Sequence, residues 1–162
     1  MARVYVSIGS NIEREQNVRD AIKALSEAFG ALTLSTVYET EAVGFTADRF
    51  FNLVVGFDTD TDVRGVAQRL REIEQRHGRQ RTSPKPKSRT LDLDLLLYED
   101  VVSHEGEIDL PRKDIIDYAF VLRPLCEIAP DCVHPETGQR LTELWANYPG
   151  RRGGMWPAAF KP

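Results

Sequence analysis

Residues 31–58, with the sequence ALTLSTVYETEAVGFTADRFFNLVVGFD, contain two predicted strands with no helix between them. β-Branched and aromatic residues favour strands over 31–39 and 50–58, and the connection from Thr40 to Asp48 contains Gly44 and has no helical period. Parallel strands are joined through long crossovers, usually helices, whereas an antiparallel pair needs only a loop. This stretch therefore argues against a doubly wound parallel sheet.

The segments on either side complete a strand–helix–strand–strand–helix–strand order. Apolar residues at helical spacing predict one helix before this stretch and one after it, and β-branched or alternating runs predict the outer strands. The predicted elements are strands 2–8, 31–39, 50–58 and 90–98 and helices 14–29 and 62–77. This order is the ferredoxin-like βαββαβ pattern, an α+β fold with an antiparallel sheet.

The C-terminal residues predict additions to that fold. The expected elements are a short strand pair near 100–109, a loop or short helix over 111–117, and helices over 119–128 and 140–147. The tail, residues 150–162, has no hydrophobic period and is predicted to be irregular. We expect one domain over residues 1–162, because no linker or internal repeat divides the chain.

The charge of the chain is unevenly distributed. The 162 residues include 21 basic and 25 acidic ones, a net charge of −4 that argues against a nucleic-acid partner. The segment Arg69–Arg89 nevertheless holds eight basic and two acidic residues, a local charge of +6. Such a segment either binds an anionic ligand or is a solvated basic helix and loop, and composition leaves both open.

Cysteine usage and hydropathy predict a cytoplasmic protein without a membrane segment. Cys126 and Cys132 form no disulfide framework and are interpreted as reduced thiols. The N-terminal residues have no signal-peptide pattern, and the apolar runs are too short to span a bilayer.

Asp92 and Asp94 are the first candidates for chemistry. They alternate with leucines in the predicted strand 90–98, so both carboxylates project from one face. Two carboxylates this close repel each other unless a cation lies between them, and hard oxygen ligands suit Mg²⁺ with substrate phosphates. The alternative is a solvent-facing polar edge of an amphipathic strand.

Two neighbouring features extend this hypothesis. The basic loop over residues 79–88 leads through Arg89 into the aspartate strand, and cations beside metal-binding carboxylates suit a polyphosphate. Phe50 and Asn52 share a face of the third strand, where a ring and an amide could hold a flat heterocycle. The alternative for this pair is a core phenylalanine beside an edge asparagine.

The segment Arg89–Tyr98, RTLDLDLLLY, closely resembles the signature of the 6-hydroxymethyl-7,8-dihydropterin pyrophosphokinase family of folate biosynthesis. Further segments occur in the order and spacing of that family, and the resemblance covers about residues 3–130. These segments are Gly9–Asn11, Tyr38–Thr40, Phe50–Asn52, Ile73–Glu74, Gly78–Arg81 and Phe120–Pro130.

The resemblance implies an ATP-dependent diphosphotransferase that converts the hydroxymethyl-dihydropterin to its diphosphate and releases AMP. It implies two Mg²⁺ ions on Asp92 and Asp94, ATP as co-substrate, small-molecule partners only and a monomer. The implied catalytic residues are Arg79, Arg81, Arg89, Asp92 and Asp94. The implied ATP-binding residues are Glu74, Arg79, Arg81, Lys85, Arg89, Leu95 and Arg112. The implied pterin-binding residues are Thr40, Val43, Phe50, Asn52 and Phe120, with the two phenylalanines on either side of the ring.

The chain departs from the family pattern at several positions. Arg112 follows Pro111 where the family usually has a histidine, and Tyr118 precedes Ala119–Phe120 where an arginine is usual. Glu41–Ala42 replaces the usual prolines after Thr40. These departures leave open a divergent paralogue, either non-catalytic or with an altered pterin substrate.

A ferredoxin-like RNA-binding module is the alternative from another functional class. It would show aromatic residues in an RNP1 string, K/R-G-F-G-F-V-x-F, on a central strand. The chain has no such string, and an acidic pair on the strand would repel phosphate without a metal. We therefore expect no nucleic-acid partner.

Overall fold

The computed structural model describes residues 1–41, 48–77, 91–150 and 152–162. The strands are β1 (Ala2–Ser10), β2 (Thr33–Leu34), β3 (Tyr38–Thr40), β4 (Phe50–Thr59), β5 (Asp92–Tyr98), β6 (Ser103–Glu105), β7 (Ile108–Leu110) and β8 (Met155–Pro157). The helices are α1 (Arg14–Phe29), α2 (Val63–Arg76), α3 (Asp114–Asp117), α4 (Ala119–Ile128) and α5 (Leu141–Ala146).

The main sheet has the order β5-β1-β4-β3-β8, and β2 also pairs with β4. Its pairings are antiparallel, and β6 and β7 form a separate two-stranded hairpin. The predicted βαββαβ order with additional C-terminal helices is confirmed. The central β1 lies between β4 and β5, so residues from both neighbours meet over it.

Helices cover both faces of the sheet, and the described residues form a large apolar core on each face. Alternation along β4 sends Phe51, Leu53, Val55 and Phe57 to the core with α1 and α2, while Val54 faces the core with α4. In α2, the Asp62 side chain accepts a hydrogen bond from the Gly65 N–H at 2.9 Å and caps the first turn. The candidate site lies on the α4 face.

The prediction of one strand over 31–39 is wrong, because this segment is divided into β2 and β3. At the break, the Ser35 hydroxyl accepts the Val54 N–H at 2.9 Å. The Thr36 N–H donates to the Glu127 carboxylate on α4 at 2.7 Å. The Ser35 side chain thus satisfies the Val54 N–H of β4. The Thr36 N–H bonds to a side chain on α4 and not to a neighbouring strand.

The prediction of an irregular tail is also wrong, since residues 155–157 form β8 on the free edge of β3. A three-residue strand is too short to show a hydrophobic period. Farther along, the Phe160 ring stacks on Phe51 with centroids 5.2 Å apart, against the α1 face.

Both cysteines are free thiols, as predicted. Within the described ranges, no helix has the length and apolarity needed to span a membrane.

Candidate active site

The two aspartates of β5 lie on the α4 face of the sheet. Asp92 pairs across the ladder with Gly9 and Asp94 with Ser7, while Leu91 and Leu93 point into the α1/α2 core. The predicted alternation of carboxylates and leucines is therefore present. Because Ser7 and Gly9 on β1 have a small side chain or none, a cavity beside the carboxylates can extend over β1.

Burial and like charge act together on Asp94. Its side chain is 13% exposed, and loss of water, followed by the neighbouring Asp92 charge, raises the pKa of the Asp94 carboxyl to about 7. The Arg112 guanidinium opposes this rise, with its Nη2 atom 3.4 Å from Asp94 Oδ1. A carboxylate held at this energetic cost is a natural cation ligand, because a bound cation removes the repulsion.

Arg112 is fixed beside Asp94 by its own backbone and side chain. Its N–H donates to the Leu96 carbonyl at 3.0 Å, where the β1–β5 register shifts. Its Nε–H donates to Asp114 Oδ2 at 3.2 Å. Although desolvation alone would lower it, the Arg112 pKa is raised by the Asp94 and Asp114 charges. The cation is therefore held between two carboxylates, at the edge of the aspartate strand.

An aromatic cavity of about 230 Å³ opens beside the carboxylates, between the sheet and the start of α4. It brings together the six predicted pterin or metal residues that the structure describes, namely Thr40, Phe50, Asn52, Asp92, Asp94 and Phe120. Its lining residues are Ser7, Gly9, Thr40, Glu41, Phe50, Asn52, Asp92, Asp94, Asp114, Tyr118, Phe120 and Val121.

Asn52 is held over the central strand at the base of this cavity. Its Nδ2 donates to Thr40 Oγ1 at 2.6 Å, and its backbone pairs with Gly9. A Cβ added at Gly9 would lie 2.9 Å from Asn52 Oδ1 and 3.9 Å from the Phe50 ring. The amide can occupy this place only because residue 9 has no side chain.

Tyr118 lies beside Phe120 in the cavity wall. The two rings stack with centroids 4.9 Å apart and an interplanar angle of 23°. Where the family pattern has an arginine, this chain thus places a second ring next to Phe120. The cavity gains an apolar surface at that point and loses a positive charge.

A second cavity, of about 250 Å³, lies on the other side of Asp94, between α2, β5 and β7. Asp94 lines both cavities. Leu95 and Arg112 line the second one, and Arg71 Nη2 forms an ion pair there with Glu107 Oε2 at 2.9 Å. Its complete lining is Ala67, Leu70, Arg71, Leu93, Asp94, Leu95, Glu107, Ile108, Asp109 and Arg112.

Glu74 joins α2 to the aspartate strand. Its side chain is buried, and Oε2 accepts the Leu93 N–H at 2.8 Å. This backbone group lies between Asp92 and Asp94 in sequence. Glu74 therefore fixes the position of the strand from which both carboxylates project.

Several predicted site residues lie outside the described part of the chain, namely Val43, Arg79, Arg81, Lys85 and Arg89. Other residues line a cavity here although the sequence patterns do not identify them as site residues. Asp114, two residues after Arg112, is one, and Ser7, Arg71 and Glu107 are others. The spacing of Asp114, two residues from Arg112, could have indicated a role in the site. The positions of Ser7 and Glu107 follow instead from strand pairing and packing, which the sequence does not show.

Two cavities that share a carboxylate suit a reaction between two ligands. One cavity offers rings and an amide for a flat heterocycle, and the other offers a cation and apolar walls. Hard oxygen ligands lie at the boundary, where a metal would neutralise phosphate oxygens.

Bacterial relatives share this sequence over nearly their whole length. The 2-amino-4-hydroxy-6-hydroxymethyldihydropteridine pyrophosphokinase of Pseudomonas aeruginosa is 38% identical over 158 residues, covering 91% of this chain and 92% of the relative. The protein of the same name from Aquifex aeolicus is 33% identical over 146 residues, with 89% and 91% covered.

Longer relatives contain a matching region within a larger chain. The folic acid synthesis protein fol1 of Schizosaccharomyces pombe is 34% identical over 151 residues, and the match spans 91% of this chain but only 20% of that protein. A crystal structure of wild-type Plasmodium falciparum HPPK-DHPS superposes with a TM-score of 0.71 at 12% identity, covering 91% of this chain and 44% of that one. At this identity the superposition shows a shared fold.

A sequence model of the 7,8-dihydro-6-hydroxymethylpterin-pyrophosphokinase (HPPK) family matches residues 5–130, a span that contains both aspartates and all the lining residues of the two cavities. The resemblance found in the sequence is confirmed by this match and by the bacterial relatives. The chain belongs to the 7,8-dihydro-6-hydroxymethylpterin-pyrophosphokinase family.

Proposed function

We propose that this chain transfers diphosphate from ATP to the hydroxymethyl group of 6-hydroxymethyl-7,8-dihydropterin, giving the pterin diphosphate and AMP in folate biosynthesis. The observation that carries the proposal is the position of Asp94, which lines both the aromatic cavity and the second cavity. Two substrates bound in these cavities would have their reacting groups next to the same carboxylate, Asp94.

The aromatic cavity is the proposed pterin site. Phe50 and Phe120 supply ring faces for a flat heterocycle, and stacked aromatic pairs are favourable beyond the area that they bury. The Asn52 amide supplies a donor and an acceptor, and Thr40 holds its orientation. By family resemblance, the backbone around Val43 completes this site.

The second cavity is the proposed nucleotide site. Leu95 supplies apolar surface and Arg112 a cation facing Asp94, while Glu74 fixes the intervening strand. By resemblance, Arg79, Arg81 and Arg89 contact the ATP phosphates, together with Lys85. An arginine suits this role because its planar guanidinium can contact phosphate in a bidentate manner.

Asp92 and Asp94 are the proposed Mg²⁺ ligands, and two ions follow from the resemblance. The donor set fits, because burial and the Asp92 charge raise the Asp94 pKa, which a bound cation would offset, and the two carboxylates offer the hard oxygen atoms that Mg²⁺ prefers. When bound, Mg²⁺ would neutralise charge on the transferring phosphates.

The reaction requires attack at the β-phosphorus of ATP. A bond forms between the hydroxymethyl oxygen and this phosphorus, and the bond to the oxygen that bridges the α- and β-phosphorus breaks. AMP keeps that bridging oxygen, and the hydroxyl proton is released. In such a transfer the protein acts chiefly by positioning the reactants and neutralising charge, so the two cavities on either side of Asp94 are the central feature.

The direct test is an assay of the wild-type chain with ATP, Mg²⁺ and 6-hydroxymethyl-7,8-dihydropterin. We expect stoichiometric AMP and pterin diphosphate. Absence of AMP at high enzyme concentration would overturn the proposal. In that case, calorimetric titration with each substrate would identify the alternative, a non-catalytic binding paralogue that the departures at Arg112 and Tyr118 leave open.

We expect metal affinity to decrease with decreasing pH. In the metal-free protein, the pKa of the Asp94 carboxyl is raised to about 7, so below this pH a metal ion must displace a proton. The dissociation constant of Mn²⁺, followed by electron paramagnetic resonance, should rise up to about tenfold per pH unit below 7. The same affinity at pH 6 and pH 8 would contradict the assignment, and the Asp94→Asn variant should lose this dependence.

Arg112→Ala should weaken ATP binding more than pterin binding. The variant removes the cation beside Asp94, and we expect the KM for ATP to rise about tenfold, the scale of one charged hydrogen bond. Lys113→Ala is the matched control, because this neighbouring cation is 82% exposed and pairs only loosely with Asp117 at 3.9 Å. Equal effects of the two variants would show that Arg112 has no specific role at the nucleotide.

We further propose that the chain acts as a cytoplasmic monomer with small-molecule substrates as its partners. The two free thiols support a reducing compartment. Sedimentation equilibrium tests the oligomeric state and should give a mass near 18.4 kDa.

A further inference from the structure

The C-terminal strand β8 holds the whole length of β3, which lies beside the proposed pterin cavity. Thr40 pairs with Met155 and Glu39 with Trp156. The contact continues beyond the strand ends, because the Glu41 N–H donates to the Gly154 carbonyl at 3.0 Å and the Ala158 N–H donates to Val37 at 2.8 Å. Since Thr40 in turn accepts the Asn52 amide, the tail backs the residues that line the cavity.

Met155 connects β8 to the aromatic wall of the cavity. It is 7% exposed and forms a small apolar cluster with Tyr38 and Ala119. Phe120 packs against this cluster, one residue after Ala119 at the start of α4. The Met155 cluster therefore joins β3 and the start of α4, and both elements contribute residues to the cavity lining.

Neighbouring contacts fix the path of the tail towards β8. The Arg152 guanidinium donates to the carbonyls of Trp145 and Ala146 at 2.6 and 3.0 Å. On β8 itself, the Trp156 ring lies under the Arg49 guanidinium at 4.6 Å, and Arg49 immediately precedes Phe50 of the cavity. The tail thus contacts both β3 and Arg49, the residue that precedes β4.

We infer that β8, acting through Met155, is a positioning element that sets the pterin-side wall of the active site without affecting the nucleotide side. The inference rests on the proposed function of the aromatic cavity. β8 and the aspartate strand β5 lie at opposite edges of the sheet, four strand spacings apart. At about 4.8 Å per spacing this separation is roughly 19 Å, so a change at Met155 should reach the pterin wall first.

The test compares two tail residues that face opposite sides of the sheet. Met155→Ala removes support behind Phe120, whereas Phe160→Ala removes the stacking of the tail on Phe51 in the α1/α2 core. Met155→Leu restores apolar volume at the first position. For each variant we would measure KM and kcat for both substrates, together with the thermal midpoint, Tm.

Met155→Ala should raise the KM for the pterin roughly 5- to 10-fold and leave the KM for ATP within about twofold, as expected for a displaced binding wall. Met155→Leu should recover most of the loss. Phe160→Ala should lower Tm but change neither KM. These comparisons use the wild-type AMP yield as reference, so an inactive wild type would refute the proposed function and not this inference.

Two results would overturn the inference in a chain that is active. One is an equal rise of the pterin KM in Met155→Ala and Phe160→Ala, which would show that the tail stabilises the fold in general and does not act specifically through Met155. The other is an unchanged pterin KM in a Met155→Ala variant that is folded by circular dichroism.

Discussion

Asp94→Asn should abolish turnover and, at the same time, stabilise the metal-free protein. Loss of one carboxylate from the proposed metal site removes charge neutralisation at the transferring phosphates, and we expect kcat to fall about a thousandfold or more. Stability should change in the opposite direction, because burial and Asp92 raise the pKa of Asp94 to about 7. An ionised Asp94 therefore destabilises the fold at neutral pH.

The sign of the stability effect fixes its pH dependence. With the pKa of Asp94 raised in the folded state, the destabilisation is absent at low pH, where the carboxyl is protonated in both states. It grows as the pH rises above about 4 and is complete above about 7. Asp94→Asn should therefore raise the free energy of unfolding by about 1–3 kcal/mol at pH 8 without metal, and by little at pH 4.

Urea denaturation at the two pH values, with and without Mg²⁺, measures this effect. Asp60→Asn is the control, because the Asp60 carboxylate, just after the end of β4, is 81% exposed and its substitution should change stability by less than about 0.5 kcal/mol. An Asp94→Asn protein that keeps a near-normal kcat would contradict the proposed metal site. One that is less stable at pH 8 would contradict the electrostatic account.

Gly9→Ala should damage pterin recognition while leaving the fold intact. The added Cβ would lie 2.9 Å from Asn52 Oδ1, so the amide must rotate away from Thr40 Oγ1. Since the contact is with the end of a side chain, the backbone need not move. We expect kcat/KM for the pterin to fall roughly 10- to 100-fold, the scale of losing a positioned hydrogen-bonding group.

A double-mutant cycle with Asn52→Ala isolates this mechanism. When Asn52 is truncated, the added Cβ at residue 9 has no amide to displace, and the second substitution should add little further loss. Additive losses would instead indicate that Gly9 acts through the backbone or through Phe50. The ATP dissociation constant provides the internal reference and should remain within about twofold in both single variants.

Properties that depend on strand alternation were predictable from the sequence. Asp92 and Asp94 share a face because strand side chains have a period of two, and Phe50 and Asn52 follow the same rule on β4. The βαββαβ order follows from the lengths and periods of the elements and from the missing helix in residues 31–58. Each of these inferences needs only local sequence.

The register between strands and the contacts between distant segments could be seen only in the structure. Gly9 pairs with Asp92 on one side and Asn52 on the other, a register that no local pattern specifies. Arg112 reaches Asp94 from a segment 18 positions later, through a hydrogen bond to the Leu96 carbonyl. The Ser35 hydroxyl interrupts a strand that β propensity extends, because a side-chain hydrogen bond there replaces part of the ladder.

The short strand β8 also bears on solubility. A bare β3 edge would present unpaired backbone groups to solvent, and such edges template pairing with other chains. β8 covers this edge with only three residues, and the last of them, Pro157, has no N–H to donate to a further strand. The strand that backs the aromatic cavity thus also ends the sheet on that side, which disfavours edge-to-edge self-association.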